Sequence, residues 1–255
     1  MRAIDFGIHS EDYAAFRPGF PRSFYQRIET IVPIRGARVL DLGTGPGTIA
    51  LELAALGASV VGIDTASGQI ATATRLAKER GLEASAKFHT GRADQTGVED
   101  GAFDLVTAGN CWHWFDPSPA MAEIGRVLRP GGFLVIAHYA YLARHSPLAR
   151  ETEELILRFN PSWTMAGESG VHPDEIDDVI HGGFRFVESF SWDEPEEFSH
   201  ARWIGRMHAC NGVGATLPPA ELARFDEELT RLMRERHPEP VTVPHRVWCV
   251  VAERP

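Results

Sequence analysis

From Arg38 to Ala137 short apolar runs alternate with stretches in which apolar residues recur every three or four positions. Such a pattern predicts parallel strands joined by crossover helices, an α/β doubly wound sheet. Arg38-Val39-Leu40-Asp41-Leu42 is the first expected strand, and a helix follows from about Thr48 to Leu56, where Gly57 can end it. Ser59 to Asp64 reads as a second strand, and Ile70, Ala73, Leu76 and Ala77 then share one face of a helix that stops before Gly81. A third strand is expected near Ala86 to His89 and a fourth from Phe103 to Ala108. After a helix from about Pro119 to Leu128, the Pro130-Gly131-Gly132 turn delivers a fifth strand, Phe133 to His138.

Past Tyr139 the pattern loosens. Helices are expected over Leu148 to Phe159 and Pro173 to Ile180, and a strand over Phe184 to Trp192. A helical region from Ser199 to Arg236 is interrupted around Gly212-Val213-Gly214, and Val241 to Ala252 reads as the last strand.

The segment richest in chemistry is Val39-Leu40-Asp41-Leu42-Gly43-Thr44-Gly45-Pro46-Gly47-Thr48, a strand ending in a glycine turn that opens a helix. Backbone without side chains can approach a ligand closely there, and the amides at the helix start attract electron-rich groups. The spacing is G-x-G-x-G, whereas the dinucleotide fingerprint is G-x-G-x-x-G. A carboxylate on a buried strand, as at Asp41, costs several kcal/mol unless a cation or hydrogen-bond donor meets it. An ammonium group on a ligand is one such partner. Asp64 ends the second strand about 20 residues past the turn, where an acidic side chain can take both hydroxyls of a ribose.

On this motif the chain resembles the class I, Rossmann-like S-adenosylmethionine-dependent methyltransferases, in the small-molecule branch that includes trans-aconitate and ubiquinone-pathway enzymes. The likeness runs from about Tyr13 to Tyr139. It implies S-adenosyl-L-methionine as cofactor, with Asp41, Gly43, Thr44 and Gly45 at its methionine end and Asp64 on its ribose. Thr65 and Gln69 resemble positions flanking adenine and ribose, Ala93 and Asp94 those that read the adenine amino group, and Asn110 one that lies near the sulfonium. Tyr13 and Arg17 resemble an N-terminal segment that closes over the cofactor. The sequence departs from the pattern at Gln69, where many relatives carry Met. It also lacks the Asn/Asp-Pro-Pro-aromatic run of enzymes that methylate planar amino groups on bases.

The expected organisation is a single methyltransferase domain over 1–255. It comprises an N-terminal cover segment 1–30, a cofactor-binding core 36–138, substrate-cap helices with one intervening strand over 139–240, and a final strand 241–253. The N-terminal and late helical segments are expected to cover the carboxyl edge of a Rossmann-like, mostly parallel sheet.

Acceptor chemistry is less legible. Trp112, His113 and Trp114 follow the fourth strand and, with Tyr139, are the residues expected to line an acceptor pocket. His113 is the candidate general base. Methyl transfer from a sulfonium needs little proton chemistry, because positioning alone supplies roughly 7–11 kcal/mol. The histidines show no i, i+4 pair flanking a Glu, so no metal site is expected, although distant residues can converge in space.

Composition narrows the partners. A net charge of −10 with no basic run argues against nucleic acid, whose binding depends on clustered Lys and Arg. The apolar runs fall far short of the roughly 20 residues that span a bilayer, and the N-terminus carries acidic residues in place of an apolar signal core. Cys111, Cys210 and Cys249 are widely spaced and odd in number, which suits a reducing compartment. The expectation is a cytoplasmic monomer or homodimer acting on a small molecule, without membrane or nucleic-acid partners. Two rival readings are a non-catalytic adenosylmethionine-binding protein and a nicotinamide-dependent oxidoreductase. A third enlarges the acceptor to a protein or RNA.

Overall fold

The computed structural model describes residues 14–255, which sort into two compact units. The larger comprises residues 19–139, 172–192 and 247–255. The smaller holds 140–171 and 193–246 with the described residues up to Pro18. The stretch 139–240, expected as one cap, is therefore not one body, because the chain re-enters the larger unit at 172–192.

Among the described residues seven strands form one sheet: β1 (Arg38–Leu42), β2 (Ser59–Asp64), β3 (Ala86–Thr90), β4 (Phe103–Gly109), β5 (Leu128–Tyr141), β6 (Arg185–Phe198) and β7 (Val241–Glu253). Their order is β3-β2-β1-β4-β5-β7-β6, and β3, β2, β1, β4 and β5 pair in parallel. The α-helices bounded at both ends by described residues are α1 (Arg22–Glu29), α2 (Thr48–Ala55), α3 (Ser67–Glu79), α4 (Pro117–Val127), α5 (Pro147–Phe159), α6 (Asp174–His181), α7 (His200–His208) and α8 (Pro219–Arg236). This is the doubly wound α/β sheet that the alternating pattern predicts, and the Rossmann-like, mostly parallel arrangement that the family resemblance implies.

Both faces of the larger unit's sheet are buried, which explains why its strands read as nearly continuous apolar runs. Val39, Val60, Leu105 and Val135 share a core with Phe24 and Ile28 of α1 and Ile49 and Leu53 of α2. Leu40, Leu42, Val106, Leu134 and Ile136 share another with Met121 and Ile124 of α4 and Val179 of α6. Each such side chain, fully buried, stabilises the fold by about 1.5–3 kcal/mol.

Three boundaries differ from expectation. β5 begins at Leu128, which pairs with Phe103; the register then shifts so that Phe133 meets Leu105, and the Pro-Gly-Gly turn is looped out between these partners. Backbone bonds between Gly131 and Arg254 and between Arg254 and Gly132 hold the excursion. β6 runs six residues past Trp192, since its half-buried positions alternate without a strong apolar stop. The late helical region breaks over 209–218, wider than the Gly212–Gly214 interruption, and Pro219 opens α8 where a missing N–H costs nothing.

In the smaller unit α5, α7 and α8 pack around Trp203, Phe198 and Phe225. Ser146 caps α5 by accepting from the Ala149 amide, and Ser199 caps α7 by accepting from Arg202. No described helix is long and apolar enough to cross a membrane. The three cysteines are buried and free.

Candidate functional site

β2, β1 and β4 lie side by side, so their carboxyl ends bring the glycine turn, Asp64 and Asn110 to one edge of the sheet. The turn has left-handed backbone at Gly43 and Gly45, with φ of 58° and 55°. Left-handed backbone favours glycine at both positions, and only at Gly43 does lack of space add a second reason. A Cβ at Gly43 would sit 2.8 Å from the Cβ of Cys111, whereas one at Gly45 would meet nothing within 4 Å. The turn is thus packed against protein on one side and open on the other. The Thr44 amide donates to the carbonyl of Ile63 at 3.0 Å, holding the turn against β2.

Asp64 completes this arrangement. Its Oδ2 accepts from the Gly45 amide and its Oδ1 from the Ala66 amide, each at 2.9 Å. The half-buried carboxylate therefore fixes the open side of the turn and the approach to α3, and each oxygen keeps a further lone pair for another donor.

Asp41 is buried, 2% exposed, and its partners are hydroxyls. Thr107 donates to Oδ1 and Thr44 to Oδ2, both at 2.6 Å, and the Ala50 amide at the start of α2 is a third donor. Burial pushes its pKa up to about 6 against the opposing pull of these bonds. The ammonium partner considered from sequence is not needed to satisfy this carboxylate. Asp41 ties β1, β4, the turn and α2 together. Thr107 was missed at the sequence level; the signal was a lone hydroxyl within Leu105-Val106-Thr107-Ala108, and it lies in register with Asp41.

Asn110 has φ of 56°, a conformation that Asn tolerates better than most residues. Its amide donates to the Ala137 carbonyl and its Oδ1 accepts from the Tyr139 amide, so it clips the end of β4 to β5. Thr65 is exposed just past β2, and Gln69 is buried in the first turn of α3. Ala93 is half-buried. Both oxygens of Asp94 are taken by a fork from Arg92, at 2.8 and 2.7 Å, and that bond chiefly holds its carboxyl below the usual range. Arg17 is half-buried and belongs to the smaller unit, while Tyr13 lies outside the described residues.

The residues expected to line the acceptor pocket divide. Trp112 is buried and its Nε1 donates to Asp178 of α6 at 2.8 Å. Tyr139 is 2% exposed, with its ring 5.9 Å from that of Phe20 in the core. Their rings are committed to packing. His113 and Trp114, within a short 3₁₀ turn, are exposed, with ring centroids 4.8 Å apart. Beside them lie residues the sequence did not single out together: His138 on β5, His172 just before α6 and Glu175 in its first turn.

Residues 40–136 match the family model described as a methyltransferase domain. An uncharacterised methyltransferase of Mycobacterium tuberculosis is 33% identical over 132 residues, covering 52% of this chain and 51% of that protein. A ubiquinone biosynthesis O-methyltransferase of a Caulobacter strain is 32% identical over 152 residues, 59% of this chain and 60% of its own. The chain spans about half the length of the curated relatives it matches. Among solved structures, a Haemonchus contortus phosphoethanolamine N-methyltransferase holding S-adenosylhomocysteine superposes with a TM-score of 0.59 at 18% identity, covering 98% of this chain and 57% of that one. The [4+2]-cyclase SpnF superposes with a TM-score of 0.57 at 20% identity, covering 94% and 84%. At these identities the likeness establishes the fold, and a cyclase beside a methyltransferase illustrates that fold does not fix chemistry.

Proposed function

We propose that this chain transfers a methyl group from S-adenosyl-L-methionine to an oxygen, nitrogen, sulfur or carboxylate acceptor on a small molecule. The observation that carries the reading is the bond from the Gly45 amide to Asp64, which sets an acidic side chain beside a glycine turn with open space at Gly45. The match of residues 40–136 to the methyltransferase domain supports it, as do the relatives named above.

The residues present fit this cofactor. Asp64 retains lone pairs for ribose hydroxyls, and Gly43, Thr44 and Gly45 present backbone that a side chain at Gly45 would obstruct. Thr65, Gln69, Ala93 and Asn110 would flank the rest. Asp41 acts by holding the turn in place. Asp94 serves through its backbone or after exchanging its Arg92 partner. When bound, the cofactor supplies an electrophilic methyl group whose positive charge is lost as the new bond forms.

His113 and Trp114 are the exposed side chains offered to an acceptor, in preference to the buried Trp112 and Tyr139. His113 is the candidate proton acceptor for a hydroxyl or amine; a carboxylate acceptor would need none. A chain of net charge −10 suits a small acceptor better than a nucleic acid, and free cysteines suit the cytoplasm. The test is a screen of small acids, phenols, amines and thiols with methyl-labelled cofactor. Label transfer to one class supports the proposal. Cofactor binding with no transfer to any class favours the non-catalytic reading, and tighter binding of NADH overturns the assignment.

A further inference from the structure

We propose that His138, His172 and Glu175 form a binding site for one divalent transition-metal cation of the zinc class. The three come from two separated parts of the chain, β5 and the turn that leads into α6, yet each offers one ligand atom and these atoms lie within 4.8 Å of one another. Two imidazoles and one carboxylate are the donor set that borderline cations prefer, and three protein ligands leave a position for solvent. All three residues belong to the larger unit.

Local chemistry favours a cation there. Glu175 is 5% exposed and His138 is 4% exposed, so the carboxylate is far from bulk water. Its Oε1 lies 2.5 Å from Nε2 of His138, and its Oε2 accepts from the indole Nε1 of Trp248 at 2.9 Å. The second bond orients the carboxylate, leaving one oxygen toward the imidazoles, as outer partners do for metal-ligating groups. The ring of His172 lies 4.1 Å from that of His138 at 30°, which sets two imidazoles side by side. His172 lies two residues before α6 and Glu175 within it, and a 3.2 Å bond from the Glu175 amide to the His172 carbonyl closes the turn between them. Asp174 and Asp178 add negative charge around Glu175.

A tetrahedral ion with ligands at about 2.0–2.2 Å needs donor atoms roughly 3.4 Å apart. The 2.5 Å contact must open by about an ångström, and the other separations, all within 4.8 Å, close by at most about 1.4 Å. Side-chain torsions of Glu175 and the half-exposed His172 can provide both.

The experiment uses the full chain without a histidine tag, stripped with chelator and measured without cofactor or acceptor, so that its outcome is independent of methyl transfer. Zn²⁺ is titrated calorimetrically, bound metal is counted by mass spectrometry, and Co²⁺ is followed by its visible absorption. The expected result is one ion per chain, with affinity lowered at least tenfold in His172→Ala and Glu175→Gln. Circular dichroism checks folding; His172→Ala, at a half-exposed position, carries the test if the buried substitution does not fold. Binding of less than one ion per chain, or affinity unchanged in a folded His172→Ala, overturns the proposal.

Discussion

The backbone amide of Gly45 donates a 2.9 Å hydrogen bond to Oδ2 of Asp64, nineteen residues away, and so joins the end of β2 to the turn that leaves β1. A residue expected only to meet a ligand also shapes the backbone that would hold it.

Asp64→Ala should weaken binding of both S-adenosylmethionine and its demethylated product by about 1.5–3 kcal/mol, because a charged acceptor of hydrogen bonds is lost. Calorimetry on the folded variant checks this. Unchanged affinity would remove Asp64 from the site.

Gly45→Ala and Gly43→Ala should part company. Both place a side chain on left-handed backbone, at a cost of about 1–2 kcal/mol in stability. At Gly45 the methyl enters open space, so the variant folds and loses at least about tenfold in cofactor affinity. At Gly43 it collides with Cys111, so the melting temperature falls further than for Gly45→Ala. Equal losses in both assays would mean that the open side of Gly45 is not a binding surface.

The buried Asp41 predicts a pH dependence. Burial raises its folded pKa from 3.8 to about 6, so the folded chain holds a proton that the unfolded chain releases. Its contribution to stability is full below the unfolded pKa and is lost as pH rises through about 6. Asp41→Asn, neutral at every pH, should therefore compare more favourably with the parent at about pH 7.5 than at about pH 4. Urea unfolding at the two pH values measures the difference; a gap that does not change with pH refutes it.

Glu123 predicts the opposite trend. Its bonds from Arg126, at 2.7 and 2.8 Å, together with those from Thr96, hold its carboxyl down at about 2. This stabilisation is present above the unfolded value of 4.5 and lost as pH falls toward about 2. Because the Arg126 side chain is one-third exposed, Glu123→Gln should cost only about 1–2 kcal/mol at neutral pH, and almost nothing near the acid limit. A cost that grows with acid would contradict the assignment.

His113→Ala should leave cofactor affinity within about twofold while lowering turnover or acceptor affinity by roughly tenfold or more. Trp114→Ala should raise KM with little change in kcat, as expected for a wall that binds ground and transition states alike. Wild-type kinetics for both variants on an acceptor found in the screen would remove this turn from the site.

The order of strands and helices through β5 was legible because period-2 and period-3.6 patterning and the glycine turn are local properties of the chain. Asp64 could be placed at a strand end from spacing alone. The partners of Asp41 could not, since Thr107 lies 66 residues away and reaches it only because β1 and β4 are adjacent in register. Trp112 and Tyr139 looked like pocket lining because they sit beside the right strand ends, but sequence position does not say which way a ring points. Local patterning therefore determined the α/β class, the turn and the acidic residue at the end of β2. Tertiary packing alone decided that Asp41 is satisfied by two hydroxyls, that His113 and Trp114 stay exposed, and that His138 meets His172 and Glu175. These are contacts between residues distant along the chain, fixed by strand order and helix docking, for which no short-range pattern exists.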